Sequence, residues 1–113
     1  MDVNLAGLNG YTNGTTTAGY VAALTIPGYG GINGKSIFVI TNLTGATLTM
    51  YYKIDGYVSS NPDCVAIAVK AETDVVNATP VVNTDTDKPY DHVVVSVKNH
   101  SGACAYTIDW MRY

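Results

Sequence analysis

Apolar and polar residues alternate with a period of two along several stretches of this chain, and no stretch of similar length carries a helical stripe. In TLTMYYKIDGY, Thr47 to Tyr57, the residues Leu48, Met50, Tyr52 and Ile54 point one way. Thr49, Tyr51, Lys53 and Asp55 point the other. A half-buried strand requires this pattern, because successive side chains leave opposite faces of a sheet. The same pattern predicts strands over Tyr20 to Ile26, over CVAIAVKAE with Val65, Ile67, Val69 and Ala71 inward, and over HVVVSVKN with Val93, Val95 and Val97 inward. A last strand runs from Ala103 to Tyr113. SIFVITN, Ser36 to Asn42, is a continuous apolar run, as expected of a central strand covered on both faces. The turn NLTGAT after it predicts a hairpin with the Thr47 to Val58 strand.

Between these runs the chain is punctuated. Residues 1–19, rich in Gly, Asn and Thr, read as an extended arm or short edge strand followed by a loop. PGYGGINGK is a Gly-rich loop. In residues 73–91, Val75, Val76, Val81 and Val82 predict one or two short edge strands, since Pro80 cannot donate in a central ladder. Short strands at this spacing predict an all-β fold: a two-sheet antiparallel β-sandwich, jelly-roll or Greek-key, of seven or eight strands. Trp110 follows both cysteines, so the Cys…Trp…Cys spacing of immunoglobulin domains is absent. At 113 residues the chain is expected to be a single domain over 1–113.

Composition supports sheet. Thr, Val, Gly, Asn and Tyr dominate, and the 13% charged content is well below the usual quarter or so. The net charge is −3, and the basic residues Lys35, Lys53, Lys70, Lys88, Lys98 and Arg112 are scattered, which argues against nucleic acid as a partner. The start MDVNLAGLNGYTNG lacks the basic and apolar regions of a signal peptide, and no run has the apolar length of a membrane span. The expectation is a chain with no signal peptide and no membrane partner.

Candidate chemistry is sparse. Cys64 falls with Lys70 and Glu72 on strand alternation, and Cys104 with Ile108 and Trp110, faces that need not coincide. A single bridge is open, but two buried thiols are favoured. His92 and His100 are the neutral-pH bases; Ser96 and Ser101 lie near in sequence without a nucleophile-elbow pattern, so no catalytic residue is assigned and no enzyme is expected. No cofactor or metal is expected. The weak calcium candidate is Asp85, Asp87 and Asp91, where Lys88 intrudes and the Gly and distal Glu of an EF-hand loop are missing. The Asn-x-Thr/Ser sequons at Asn13, Asn42, Asn77 and Asn99 read as turn chemistry. Nine tyrosines are the most suggestive feature. Tyr11, Tyr20, Tyr29, Tyr51 and Tyr57 are the candidate interface or ligand contacts, because exposed aromatics anchor protein interfaces or stack on sugar rings.

The stretch SIFVITNLTGATLTMYYKIDGY, Ser36 to Tyr57, resembles small bacteriophage virion structural proteins: an apolar strand ending in Asn, a Thr/Gly turn, then an aromatic strand with Tyr-Lys-Ile. The resemblance implies a jelly-roll decoration or cement protein, or a minor capsid or tail component. It further implies a homo-oligomer, a trimer by preference, in contact with a major capsid or other virion protein. The alternative is a carbohydrate-binding or receptor-binding β-sandwich module using the exposed tyrosines.

Overall fold

The computed structural model describes residues 9–27, 35–45, 47–77 and 79–113. It contains eight strands: β1 (Asn9–Thr15), β2 (Val21–Pro27), β3 (Ser36–Asn42), β4 (Thr49–Tyr57), β5 (Ile67–Val76), β6 (Val81–Thr86), β7 (His92–Asn99) and β8 (Ala105–Arg112). They form two four-stranded antiparallel sheets, ordered β1-β8-β3-β6 and β2-β7-β4-β5. The partners nest as 1 with 8, 2 with 7, 3 with 6 and 4 with 5, alternating between sheets. That nesting is one long hairpin wrapped into a double Greek key, the jelly-roll member of the two topologies expected.

Period-two alternation supplies the core. Phe38, Ile40 and Ile108 from one sheet meet Ile26, Met50, Tyr52, Ile54, Val75, Val93, Val95 and Val97 from the other, all at most 1% exposed. Each fully buried aliphatic side chain of this kind stabilises the fold by roughly 1.5–3 kcal/mol. The predicted inward rows of β4 and β7 are therefore found as expected.

The predicted hairpin between β3 and β4 does not form: β3 pairs with β6 and β8, and β4 with β5 and β7, in the opposite sheet. Both strands carry a fully buried row, and both rows are buried when they face each other across the core instead of lying side by side. Asn42 fixes the crossover. Its buried amide donates to the carbonyls of Leu48 (3.0 Å) and Val75 (3.2 Å), and its Oδ1 accepts from the Thr44 amide (2.9 Å). β3 is central, but its outward Ile37 and Val39 are half-buried and carry no second layer among the described residues.

β5 departs from its predicted inward row. Its register against β4 shifts between Tyr52 and Ile54 and again between Ile54 and Asp55, so alternation breaks. Val65 and Ile67 are exposed (82% and 43%), Ala71 is exposed too, and Val75 alone is fully buried. Val75 and Val76 end β5, while Val81 and Val82 open the edge strand β6, with Pro80 just before it.

β1 forms despite poor strand propensity because its glycines face aromatic rings. Gly10 lies opposite Trp110 and Gly14 opposite Tyr106. A Cβ added at Gly14 would lie 2.5 Å from the Tyr106 hydroxyl oxygen, and one at Gly10 3.0 Å from the Trp110 ring nitrogen. The rings occupy the space above the glycine backbone and hold the edge strand down. Thr16 closes the corner after β1. Its amide donates to the Cys104 carbonyl and its hydroxyl accepts from the Cys104 amide, both at 2.8 Å. The same hydroxyl donates to the Asn99 side chain.

Candidate functional site

The sandwich presents two outer faces, built by the strand positions that alternate with the core. On β2-β7-β4-β5 these positions carry rings and charges. Tyr57 pairs with His92 in register and stacks on its imidazole, centroids 4.6 Å apart; Tyr51 stacks on His100 at 4.4 Å. Each imidazole also holds a carboxylate: His92 Nδ1 lies 2.9 Å from Asp91, and His100 Nδ1 3.2 Å from Asp74. The face thus repeats one unit, an aspartate, a histidine and a tyrosine ring, at the start of β7 and just past its end.

Tyr20, from the linker before β2, lies between them. Its hydroxyl donates to Glu72 at 2.6 Å, and its ring sits under the ammonium groups of Lys53 (4.7 Å) and Lys98 (4.9 Å). Lys98 also approaches Glu72 at 3.4 Å, and Lys53 approaches Asp55 at 3.7 Å. Burial, and then the hydrogen bond to Glu72, push the Tyr20 phenol well above its ordinary range. The same hydrogen bond holds the Glu72 carboxyl below its usual range. Individual exposed contacts of this sort contribute little to stability. Their collective effect is that the rings and charges of this face satisfy one another.

The outer face of β1-β8-β3-β6 is different in kind. Its register lines up Tyr11, Asp109, Val39 and Val82 in one row, and Met111 beside Ile37 in the next. Tyr11 is 70% exposed, Val82 64% and Met111 43%. A shallow depression of about 160 Å³ is lined by Ile37, Val39, Asp109, Trp110 and Met111. Asp109 is the lone charge in these rows. A second depression, of about 330 Å³, lies at one end of the sandwich among Val58, Ile67, Lys88, Pro89 and Tyr90. There, glycine at 56 leaves room for the Tyr90 ring, which a Cβ would meet at 2.7 Å.

The structure divides the candidate tyrosines. Tyr20, Tyr51 and Tyr57 share the polar face, Tyr11 stands on the apolar one, and Tyr29 lies outside the described residues with most of its Gly-rich loop. Asp85, Asp87 and Asp91 do not converge. Asp85 is held by Asn83 (3.0 Å) and lies 3.9 Å from Lys70, Asp87 pairs with Lys88, and Asp91 with His92. Among the described residues no group of three His, Cys, Asp or Glu is placed to hold a metal ion.

Both cysteines are free. Cys104 is buried as expected, whereas Cys64 sits only half-buried in the turn after β4. Backbone hydrogen bonds at Val58 and Ser59 lower its thiol pKa. Ser101 accepts from the Thr49 amide at 2.7 Å and Ser96 is buried in β7; neither serves an imidazole.

Sequence reasoning missed Glu72, Asp74, Lys53 and Lys98 as partners of the tyrosines, because the bulges that set β5 against β4 leave no local signal. It also missed the apolar face. The signal was present in SIFVITN, whose apolar residues at both parities were assigned to a doubly covered strand.

No protein-family model matches the chain, and no curated protein matches it. Among solved structures, the chain is similar to a Yersinia pseudotuberculosis-derived mitogen, with TM-score 0.56 and 17% identity over 93% of this chain and 86% of that one. A Bacillus endospore appendage protein aligns at TM-score 0.43 with 15% identity, over 93% of this chain and 86% of that one. A chain of infectious bursal disease virus Gx strain aligns at 0.42 with 9% identity, over 90% and 29%. At these identities the likeness to the mitogen speaks for the fold, and the two weaker alignments bear no argument.

Proposed function

We propose that this protein is a non-enzymatic structural component of a virus particle, a decoration (cement), minor capsid or tail protein that works through protein–protein contact. The observation that carries the contact role is the outer face of β1-β8-β3-β6, where Tyr11, Val82 and Met111 stand exposed around half-buried Ile37 and Val39. An exposed apolar patch on a folded chain marks a contact surface, and its tyrosine and methionine belong to the residue types enriched at interfaces. The virion assignment rests on the resemblance over Ser36 to Tyr57 together with a jelly-roll frame. The partners are further copies of the chain and a major capsid or other virion protein.

The opposite face favours the second reading, a carbohydrate- or receptor-binding module, since it gathers Tyr20, Tyr51 and Tyr57. One side of the Tyr51 and Tyr57 rings is already taken by an imidazole, which reduces the surface left for a sugar.

The test is density-gradient fractionation of particles from producing cells, probed with antibody against the chain. The chain should band with the major capsid protein in fixed stoichiometry. Its absence from the particle band would remove the virion role. For the second reading, a glycan array with hits abolished by Tyr51→Ala would transfer the function to the polar face.

A further inference from the structure

Among the described residues the two sheets leave four edge strands, β1, β6, β2 and β5, and three of them are blunted against pairing. The register of β2 shifts between Ala22 and Leu24, and the strand ends at Pro27. β5 carries two shifts and the charges of Lys70, Glu72 and Asp74. β6 follows Pro80, carries Asp85 and faces a shift between Ser36 and Phe38. Bulges, prolines and charges are the devices by which edges avoid joining other sheets.

β1 has none of these. Its register against β8 runs unbroken from Asn9 to Thr15, and NGYTNGT holds neither a charged side chain nor a proline. Trp110 and Tyr106 clamp its two glycines from the inner side. The edge is therefore flat and already ordered, so pairing costs little additional conformational entropy.

The direction of its backbone groups follows from the ladder. Thr16 donates its amide to Cys104, so in an antiparallel pair the residues Gly10, Thr12 and Gly14 also exchange bonds with β8. The amides and carbonyls of Tyr11, Asn13 and Thr15 point the other way, and among the described residues no strand lies beyond them.

We infer that β1 is an assembly edge whose occupant is the β1 strand of a second copy, paired antiparallel about a two-fold axis at Asn13. In that register Asn13 faces Asn13 of the other copy, and Tyr11 faces Thr15. Every outward amide of the three residues then meets a carbonyl, and the two four-stranded sheets become one of eight. The pairing is isologous and closes at two copies. It brings no charge against a like charge. It also makes the exposed apolar faces of the two copies continuous through Tyr11. The result is a dimer, in place of the trimer that the resemblance implies.

Sedimentation equilibrium of the intact chain at tens of micromolar, with the variants Asn13→Lys and Asn13→Pro, tests it. The wild-type chain should sediment at twice its 12.0 kDa mass. Asn13→Pro removes one outward N–H and no bond to β8, and Asn13→Lys sets two ammonium groups face to face across the axis. Both should give the single-chain mass, with the sheet circular dichroism unchanged. If the proline variant unfolds, the lysine variant decides. A wild-type monomer, a trimer, a mass that climbs with concentration, or a dimer that survives Asn13→Lys would each overturn the pairing. Association with particles is read separately by the gradient above, so either idea can fail alone.

Discussion

The two outer faces of this sandwich rest on the same core and have opposite characters. On β2-β7-β4-β5, Tyr51, Tyr57 and Tyr20 each meet a cation or imidazole, and the carboxylates of Glu72, Asp74 and Asp91 each meet a donor. On β1-β8-β3-β6, Tyr11, Val82 and Met111 project around a single carboxylate, Asp109. The contrast shows that counting exposed tyrosines does not locate an interface. A ring whose faces and hydroxyl are satisfied within the chain loses those contacts on binding, while an exposed apolar row gains by being covered.

Four substitutions break or sharpen this contrast. The largest effect should come from beneath the apolar face. Phe38→Ala empties a fully buried site and should cost about 3–5 kcal/mol in denaturant unfolding, removing both faces together. If the two faces belonged to independently stable sheets, only one set of signals would be lost.

Next is the crossover that sets the sheets against each other. Asn42→Ala strands the Leu48 and Val75 carbonyls and should cost about 1–3 kcal/mol, with the slope of the denaturant transition unchanged. A neutral result would mean that the buried amide does not hold the corner.

A smaller effect is expected on the polar face. Tyr20→Phe removes the hydrogen bond that depresses the Glu72 carboxyl, so carboxyl NMR should show Glu72 titrating closer to the ordinary value of about 4.3. Because the folded value lies below the unfolded one, this contribution is present above the unfolded value and fades as pH falls through the folded one. The Tyr20 phenol is shifted upward, so its contribution is full below about 10 and is lost as pH rises through the folded value. In alkaline spectroscopic titration Tyr20 should ionise above the ordinary phenol value of about 10, and a Tyr20 that ionises at that value would contradict the network.

The smallest effect on stability belongs to the apolar face itself. Val82→Ser, at a position 64% exposed, should move unfolding by less than about 0.5 kcal/mol yet weaken association with the particle. Loss of stability without loss of association would reverse the roles assigned to the two faces.

Much of the frame was legible from period-two alternation. Met50, Tyr52 and Ile54 of β4 and Val93, Val95 and Val97 of β7 point inward where the pattern places them, because each set is an unbroken alternate row. Pairing was less legible. NLTGAT has the composition of a hairpin turn, but composition does not distinguish a turn within a sheet from a crossing between sheets. A buried asparagine reaching three backbone groups decides that here. β5 escaped because bulges insert residues and reset the alternation without any change in residue type. Of the candidate site, the position of Tyr51 on the polar face of β4 was readable. Its partners His100 and Asp74 were not, since they arrive from β5 and the end of β7, far along the chain.

Hydroxyl-radical footprinting of the particle-bound chain against the free chain tests the contact surface most directly. Tyr11, Val82 and Met111 should become protected on assembly, while Tyr57 and His100 keep the same reactivity. Protection of Tyr57 and His100 with Tyr11 and Met111 unchanged would contradict the account.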